Sequence, residues 1–274
     1  MNKKMKATSL QNFFGRIGRT VHSLLDHTGR MSRLLGDVFR WTWLSFFQKK
    51  VLRRESFFGQ VVAMGVDSVP IICLVGASVG MVLALQAAYQ LKQFGAVMYT
   101  GSLVSVSMAR ELGPLIAAIV VAGRVGARIA AELGTMRAQE EVDALTTMAI
   151  DPVRYLVLPR CLSLFLVLPC LTLIADSIGM AGGFLIGTTS LGIEPYLYLE
   201  KNFDALVLKD LYTGLLKSAV FAWIVGIVSC YQGLAVEGGA EEVGRATTQA
   251  VVNSIVLIIL ADCFFTAIFY YAFP

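Results

Sequence analysis

The chain has 274 residues, 56% of them hydrophobic and only 15% charged, with a formal charge of +4. A soluble domain carries about 25% charged residues, so this balance excludes an ordinary soluble enzyme or nucleic-acid-binding module and points to a polytopic membrane protein. The five cysteines (73, 161, 170, 230 and 263) are odd in number, lie inside apolar runs and form no CxxC pair. They read as free thiols rather than a disulfide or zinc framework.

Residues 1–60 form a basic amphipathic region. Phe13, Phe14, Ile17, Leu24, Leu25, Leu34, Leu35, Phe39, Trp41 and Trp43 are interleaved with lysines and arginines. Basic residues beside Trp and Phe suit a helix lying in the membrane interface. No apolar core with a small-residue cleavage site follows, so the segment does not read as a signal peptide.

Residues 61–274 read as a transmembrane domain with five spans. The first runs from about Val66 to Leu91. Within it, Gly76-Ala-Ser78-Val-Gly80 fits a small-residue packing ridge. It also fits a nucleophile elbow, but the elbow needs a strand–turn–helix and a histidine partner, and both histidines, His22 and His27, lie in the basic N-terminal region. The second span, about Leu103 to Val125, holds Arg110 and Glu111, followed by Gly113 and Pro114. Charges inside a span usually line a cavity or pair with one another, and Pro114 can kink the helix there.

A charged amphipathic insert follows, read as one helix over about 130–150. Leu133, Met136, Leu145 and Met148 form its apolar stripe, while Glu132, Arg137, Glu140, Glu141 and Asp143 occupy other positions. A polar helix held between two spans suits docking of a partner at the membrane surface. It suits catalysis poorly, because no nucleophile–base pair is present.

The third span, about Tyr155 to Gly187, contains Asp176 and a ridge of Gly179, Gly183 and Gly187 with Gly182 adjacent. Such a ridge lets helices approach closely, within one chain or across a homodimer. The fourth span, about Leu211 to Ala235, contains Lys217. The fifth, about Thr247 to Ala272, contains Asp262. Opposite charges on neighbouring spans read as an ion pair, with Lys217 or Arg110 as partners open to Asp176.

Basic residues set the expected orientation. Twelve Lys and Arg lie in residues 1–65, five from Arg124 to Arg160, and Arg245 follows the fourth span; the opposite loops hold Lys92, Lys201 and Lys209. The positive-inside rule then places the N-terminus and the acidic insert in the cytoplasm and the C-terminus on the far side. No phosphate-binding loop, HExxH or GxGxxG motif occurs, so any ATP must be bound by another subunit.

Several motifs in order carry a family resemblance: Gly80–Gln86, Arg110–Pro114, Ala122–Ala127, Ala131–Leu145, Ile150–Arg160, Leu216–Phe221 and Gly244–Val252, with the region of Asp262. Over residues 60–272 the chain resembles the MlaE/YrbE family, permease subunits of MCE-linked ABC transporters for lipids. The resemblance implies an all-α integral membrane fold: an interfacial N-terminal helix, five transmembrane helices and a coupling helix between the second and third. It implies a homodimer around a lipid cavity in a bacterial inner membrane, and phospholipid moved between inner and outer membranes. The implied partners are a cytoplasmic ABC ATPase (MlaF-like) that binds ATP and magnesium, a periplasmic MCE-domain protein (MlaD-like) and a STAS-domain protein (MlaB-like). Arg110 and Glu111, beside Pro114, match the family's lipid-cavity pair. Glu132, Gly134, Met136, Arg137 and Glu140, Glu141 and Asp143 match its coupling helix. Lys217, Arg245 and Asp262 match further polar positions, and Asp176 matches none. An ion-coupled secondary transporter using the intramembrane charges, or a membrane anchor for an MCE assembly that moves no lipid, are the competing expectations.

Overall fold

The computed structural model describes residues 54–272, together with residues 29, 32–34, 36–38, 40 and 41. The remainder of the expected interfacial region lies outside the described residues. Every regular element among the described residues is helical.

Prolines set where several helices begin. Pro has no N–H to donate, and the first turn of a helix needs none. Helix α1 (Arg54–Gly65) passes through a tight turn into α2 (Val69–Lys92), which has Pro70 in its first turn. The second span is one long helical rod assembled from α3 (Thr100–Ser107), a π turn (Met108–Leu112), α4 (Gly113–Val121), a second π turn (Ala122–Gly126) and α5 (Ala127–Ala138). Pro114 stands in the first turn of α4. Its missing donor coincides with the widened ladder at Met108–Leu112, and proline and π turns are recognised causes of such irregularity. After a break, the short helix α6 (Glu141–Thr147) leads to a third π turn (Val153–Val157) and the 32-residue α7 (Leu158–Thr189). Helices α8 (Pro195–Ala205), α9 (Leu208–Leu234) and α10 (Ala240–Ala272) complete the chain.

Five stretches are long and apolar enough to cross a membrane: Phe57–Lys92, Val97–Ala138, Val153–Thr189, Leu208–Leu234 and Ala240–Tyr271. Large apolar side chains such as Leu74, Val82, Leu166, Leu185, Val256 and Leu260 face outward. A soluble monomer seldom exposes so continuous an apolar surface, so the fold is that of a helical multi-pass membrane protein.

Helix α7 is the hub, with α1, α2, α4 and α9 packed around it. The glycines determine how close they come. A Cβ on Gly80 would overlap the carbonyl of Gly179, one on Gly182 would meet the Ala77 carbonyl oxygen at 2.5 Å, and one on Gly76 would meet that of Ala175 at 3.1 Å. The glycine ridge of the third span is therefore an intramolecular seam with α2. Its far end serves a different neighbour, because Gly183 and Gly187 lie under the ring and hydroxyl of Tyr198 on α8. Burial pushes the Tyr198 hydroxyl up to about 12. Ser78, the nucleophile of the elbow reading, sits inside α2 and donates to the Leu74 carbonyl at 2.8 Å, which removes that reading.

The insert expected as one helix over 130–150 is divided. Residues 127–138 prolong the second span, and the chain breaks at Gln139 and Glu140, where Glu140 has φ 60°. Ala149, at φ 58°, ends the connection. A left-handed conformation costs an L-residue roughly 1–2 kcal/mol. Ala149→Gly removes only a methyl group from an exposed site, and it should stabilise the protein by about 0.5 kcal/mol after the extra unfolded-state freedom of glycine is allowed for. Thermal unfolding in detergent measures this, and a lower midpoint would contradict it.

Candidate functional site

The second span meets α9 through the π turn at Met108–Leu112. A Cβ on Gly214 would overlap the Ala109 carbonyl and lie 3.2 Å from Pro114, so only glycine lets α9 come this near. Adjacent residues on a helix diverge by about 100°. Arg110 and Glu111 accordingly reach α9 at two levels. Arg110 Nε lies 3.3 Å from Asp210 Oδ1, and Lys217 Nζ donates to Glu111 Oε2 at 2.5 Å. Asp210 and Lys217 are seven residues apart, two turns along one face.

Lys217 also donates to Asp262 Oδ1 at 3.0 Å and to Thr266 Oγ1 at 2.8 Å, both on α10. An ammonium has three donors, and all three are used. Lys217 is 1% exposed, against 18% for Asp262 and 37% for Glu111. The ammonium is thus sealed inside a knot that ties α9 to α10 and to the second span. The Lys217–Asp262 pair expected from the sequence is present, and Glu111 joins it as a third member while lining one pocket with Arg110.

Asp210 was missed altogether, because it stood near the start of a span and read as loop. It also accepts from the Val207 N–H at 3.4 Å at the head of α9. Its position seven residues before Lys217 was the available signal. Asp176 does not meet either proposed partner. It is 2% exposed, its Oδ1 has no hydrogen-bond partner among the described residues, and it is pressed against Gly113. Arg110 and Lys217 are both engaged elsewhere.

The cluster opens onto a pocket of about 260 Å³ lined by Ser107, Arg110, Glu111, Lys217, Thr266, Phe269 and Tyr270. Ser107 also lines a second, predominantly apolar pocket of about 520 Å³ bounded by Leu83, Leu85, Tyr89 and Leu103. A pocket with charged residues in its lining and a pocket with none therefore share Ser107. Two cations, Arg110 and Lys217, and one carboxylate, Glu111, line the charged pocket, and each cation is paired with a protein acid. Arg110 remains 38% exposed and keeps free donors toward the pocket.

At the other end of the bundle the residues expected to form a coupling helix divide into two groups. Glu132 Oε1 accepts from Arg128 at 2.7 Å and its Oε2 from Arg160 at 3.3 Å. Gly134 packs against Val236 and Val243, where a Cβ would lie 3.1 Å from Val236. Arg137 pairs with Asp143 across the break. Glu140, Glu141 and Met148 are exposed, and Met136 is half-buried. Arg245 is exposed and pairs loosely with Glu242 at 3.8 Å. In the same region Trp41 donates its indole N–H to Asp151 at 2.9 Å, and Arg154 lies over its ring. Val38 is fully buried in the core beside it. No group of three or more metal-ligating side chains occurs among the described residues.

A helical multi-pass membrane protein with a charge knot beside an apolar chamber has the parts of a transport component rather than of an enzyme. The comparisons with known proteins agree. Residues 57–268 match the family model described as Permease MlaE, and the chain belongs to that family of membrane permeases. It is 40% identical over 254 residues to a probable ABC transporter permease protein of Rickettsia prowazekii, covering 92% of this chain and 98% of the relative. A protein of Synechocystis with the same description is 39% identical over 231 residues, 84% of this chain and 86% of the relative. The chloroplastic protein Trigalactosyldiacylglycerol 1 of Arabidopsis thaliana is 36% identical over 211 residues, 77% of this chain and 60% of its own.

Proposed function

We propose that this chain is the permease subunit of an ABC transporter that moves phospholipid between the inner and outer membranes of a bacterium. A separate ATPase binds ATP and magnesium. The observation that carries the reading is the sharing of Ser107 by a pocket with charged residues in its lining and a pocket with none. An amphiphile needs both: acyl chains gain by lying against apolar walls, and a phosphate gains charge-assisted bonds from the free guanidinium donors of Arg110. Relatives named as ABC transporter permeases support the class of transporter, and one named after a galactolipid supports a lipid cargo.

The ATPase docks on the exposed acidic surface of α6, in the cytoplasm by the charge rule. Glu140→Lys with Glu141→Lys should lower ATPase co-purification at least tenfold, since like charges across an interface cost several kcal/mol, while leaving folding unchanged because both side chains are exposed. Undiminished co-purification would remove α6 as the docking site. A second copy of the chain closes the open side of the cavity near Phe269 and Tyr270, with an MCE-domain protein on the far face and a STAS-domain protein on the ATPase. The experiment that tests the reading is transfer of labelled phospholipid from proteoliposomes holding the chain with its ATPase, with and without ATP.

A further inference from the structure

The second span reaches the charge knot through two interruptions. Between α6 and Glu111 lies the π turn Ala122–Gly126, and Glu111 itself stands in a second one, Met108–Leu112. A π turn inserts a residue and weakens the local ladder, so bending and twisting concentrate there. Gly123 has open space around it, and Gly113 with Pro114 borders the turn nearer the knot. Movement sent along this span dissipates at two soft places.

The third span has no π turn beyond Val157, and its one irregularity there is Pro169, which removes a single ladder hydrogen bond. Helix α7 runs unbroken through Pro169 for 32 residues, about 48 Å at the α-helical rise. It meshes with α2 along the glycine seam and presses Asp176 against Gly113, at the corner that carries Arg110 and Glu111. It is the more continuous of the two routes from one end of the bundle to the knot.

Helix α5 hardly touches α7. Its buried face packs on α9 and α10, and the space between Ala131, Thr135 and Met136 on α5 and Arg160 on α7 is an open pocket of about 480 Å³. Glu132 bridges that gap to Arg160. The Arg160 guanidinium is anchored on the α7 side by its bond to the Leu156 carbonyl at 2.8 Å and is only 7% exposed. Breaking its contact with Glu132 strands a buried charge, which holds the bridge closed more firmly than a surface pair would be.

We propose that Glu132 and Arg160 pass movement of the α5–α6 segment to the third span, with Glu132 acting as a positioning residue that contacts neither cargo nor ATPase. The proposal rests on the reading that α6 receives an ATPase. It places Glu132 behind the docking surface, as a transmission element.

The test uses the assembled transporter in proteoliposomes with wild type, Glu132→Gln and Glu132→Asp. Four quantities are read together: ATPase retention, ATP hydrolysis, lipid transfer, and the nucleotide-dependent distance between spin labels at Leu166 on α7 and Leu260 on α10, the helix that packs on α5, both outward-facing. In Glu132→Gln, retention and hydrolysis stay within about twofold of wild type. Transfer falls roughly tenfold, within the usual range of a coupling free energy, and the distance change is lost. Glu132→Asp, which keeps the charge, recovers both. Where the single variant fails to accumulate, the Glu132→Gln/Arg160→Gln double leaves no buried unpaired charge and shows the same loss. A variant that sheds the ATPase makes Glu132 part of the docking surface and overturns the proposal, as does one that keeps both transfer and the distance change. If wild type hydrolyses ATP but transfers no lipid, the cargo reading falls, and the label distances still decide the link.

Discussion

Lys217→Met is expected to be the most damaging single substitution in the protein. It removes the ammonium that satisfies Glu111, Asp262 and Thr266 and leaves two carboxylates facing each other around an apolar side chain. Breaking a buried pair by deleting one partner costs about 3–5 kcal/mol, and Lys217 is the fully buried member. Asp262→Asn and Glu111→Gln are each milder, because Lys217 keeps its other acid and Glu111 is already partly solvated. The triple Lys217→Met/Glu111→Gln/Asp262→Asn should recover most of the stability yet transport nothing, since replacing a whole buried ion cluster by neutral groups is often near neutral. Thermal unfolding of the four variants, with transfer assays on the triple, reads this out. Additive losses across the set would remove the three-way knot.

Gly80→Ala is the second large effect. The added methyl would coincide with the carbonyl of Gly179, a backbone atom that cannot rotate away. Helices α2 and α7 must separate, and overpacking of this kind costs about 1–3 kcal/mol or more. Gly59→Ala and Gly123→Ala, where nothing lies within 4 Å, are the controls. Gly123→Ala should stabilise the apo protein slightly through its helix propensity. Expression and unfolding midpoint separate the three, and equal effects would contradict the seam.

The spans were legible in the sequence because each is a run of apolar residues near membrane thickness, and that signal needs no tertiary knowledge. Lys217 and Asp262 were legible as partners because two lone opposite charges in lipid have few other solutions. What escaped depended on neighbours distant in the chain. Arg110 and Glu111 do line one pocket, but their partners, Asp210 for one and Lys217 for the other, lie on a helix far along the chain. The π turns leave no local pattern beyond Pro114. Residues 127–138 carry the polar composition of a surface helix, and they prolong the second span because Ile129, Leu133 and Gly134 pack on α9 and α10. Gly187 reads as part of a helix seam, whereas its occupant is the Tyr198 ring from α8, an element the hydropathy pattern did not separate from loop; Gly183 meets Val104 and the Tyr198 hydroxyl.

The proteoliposome measurement bears most directly on the central claim. Vesicles containing the chain and its ATPase are supplied with labelled phospholipid, acceptor membranes and ATP. Transfer should require ATP hydrolysis and be lost in the triple variant lacking the charge knot. Transfer that persists without the ATPase and follows an imposed proton or sodium gradient, or hydrolysis with no lipid movement in wild type, would contradict that claim.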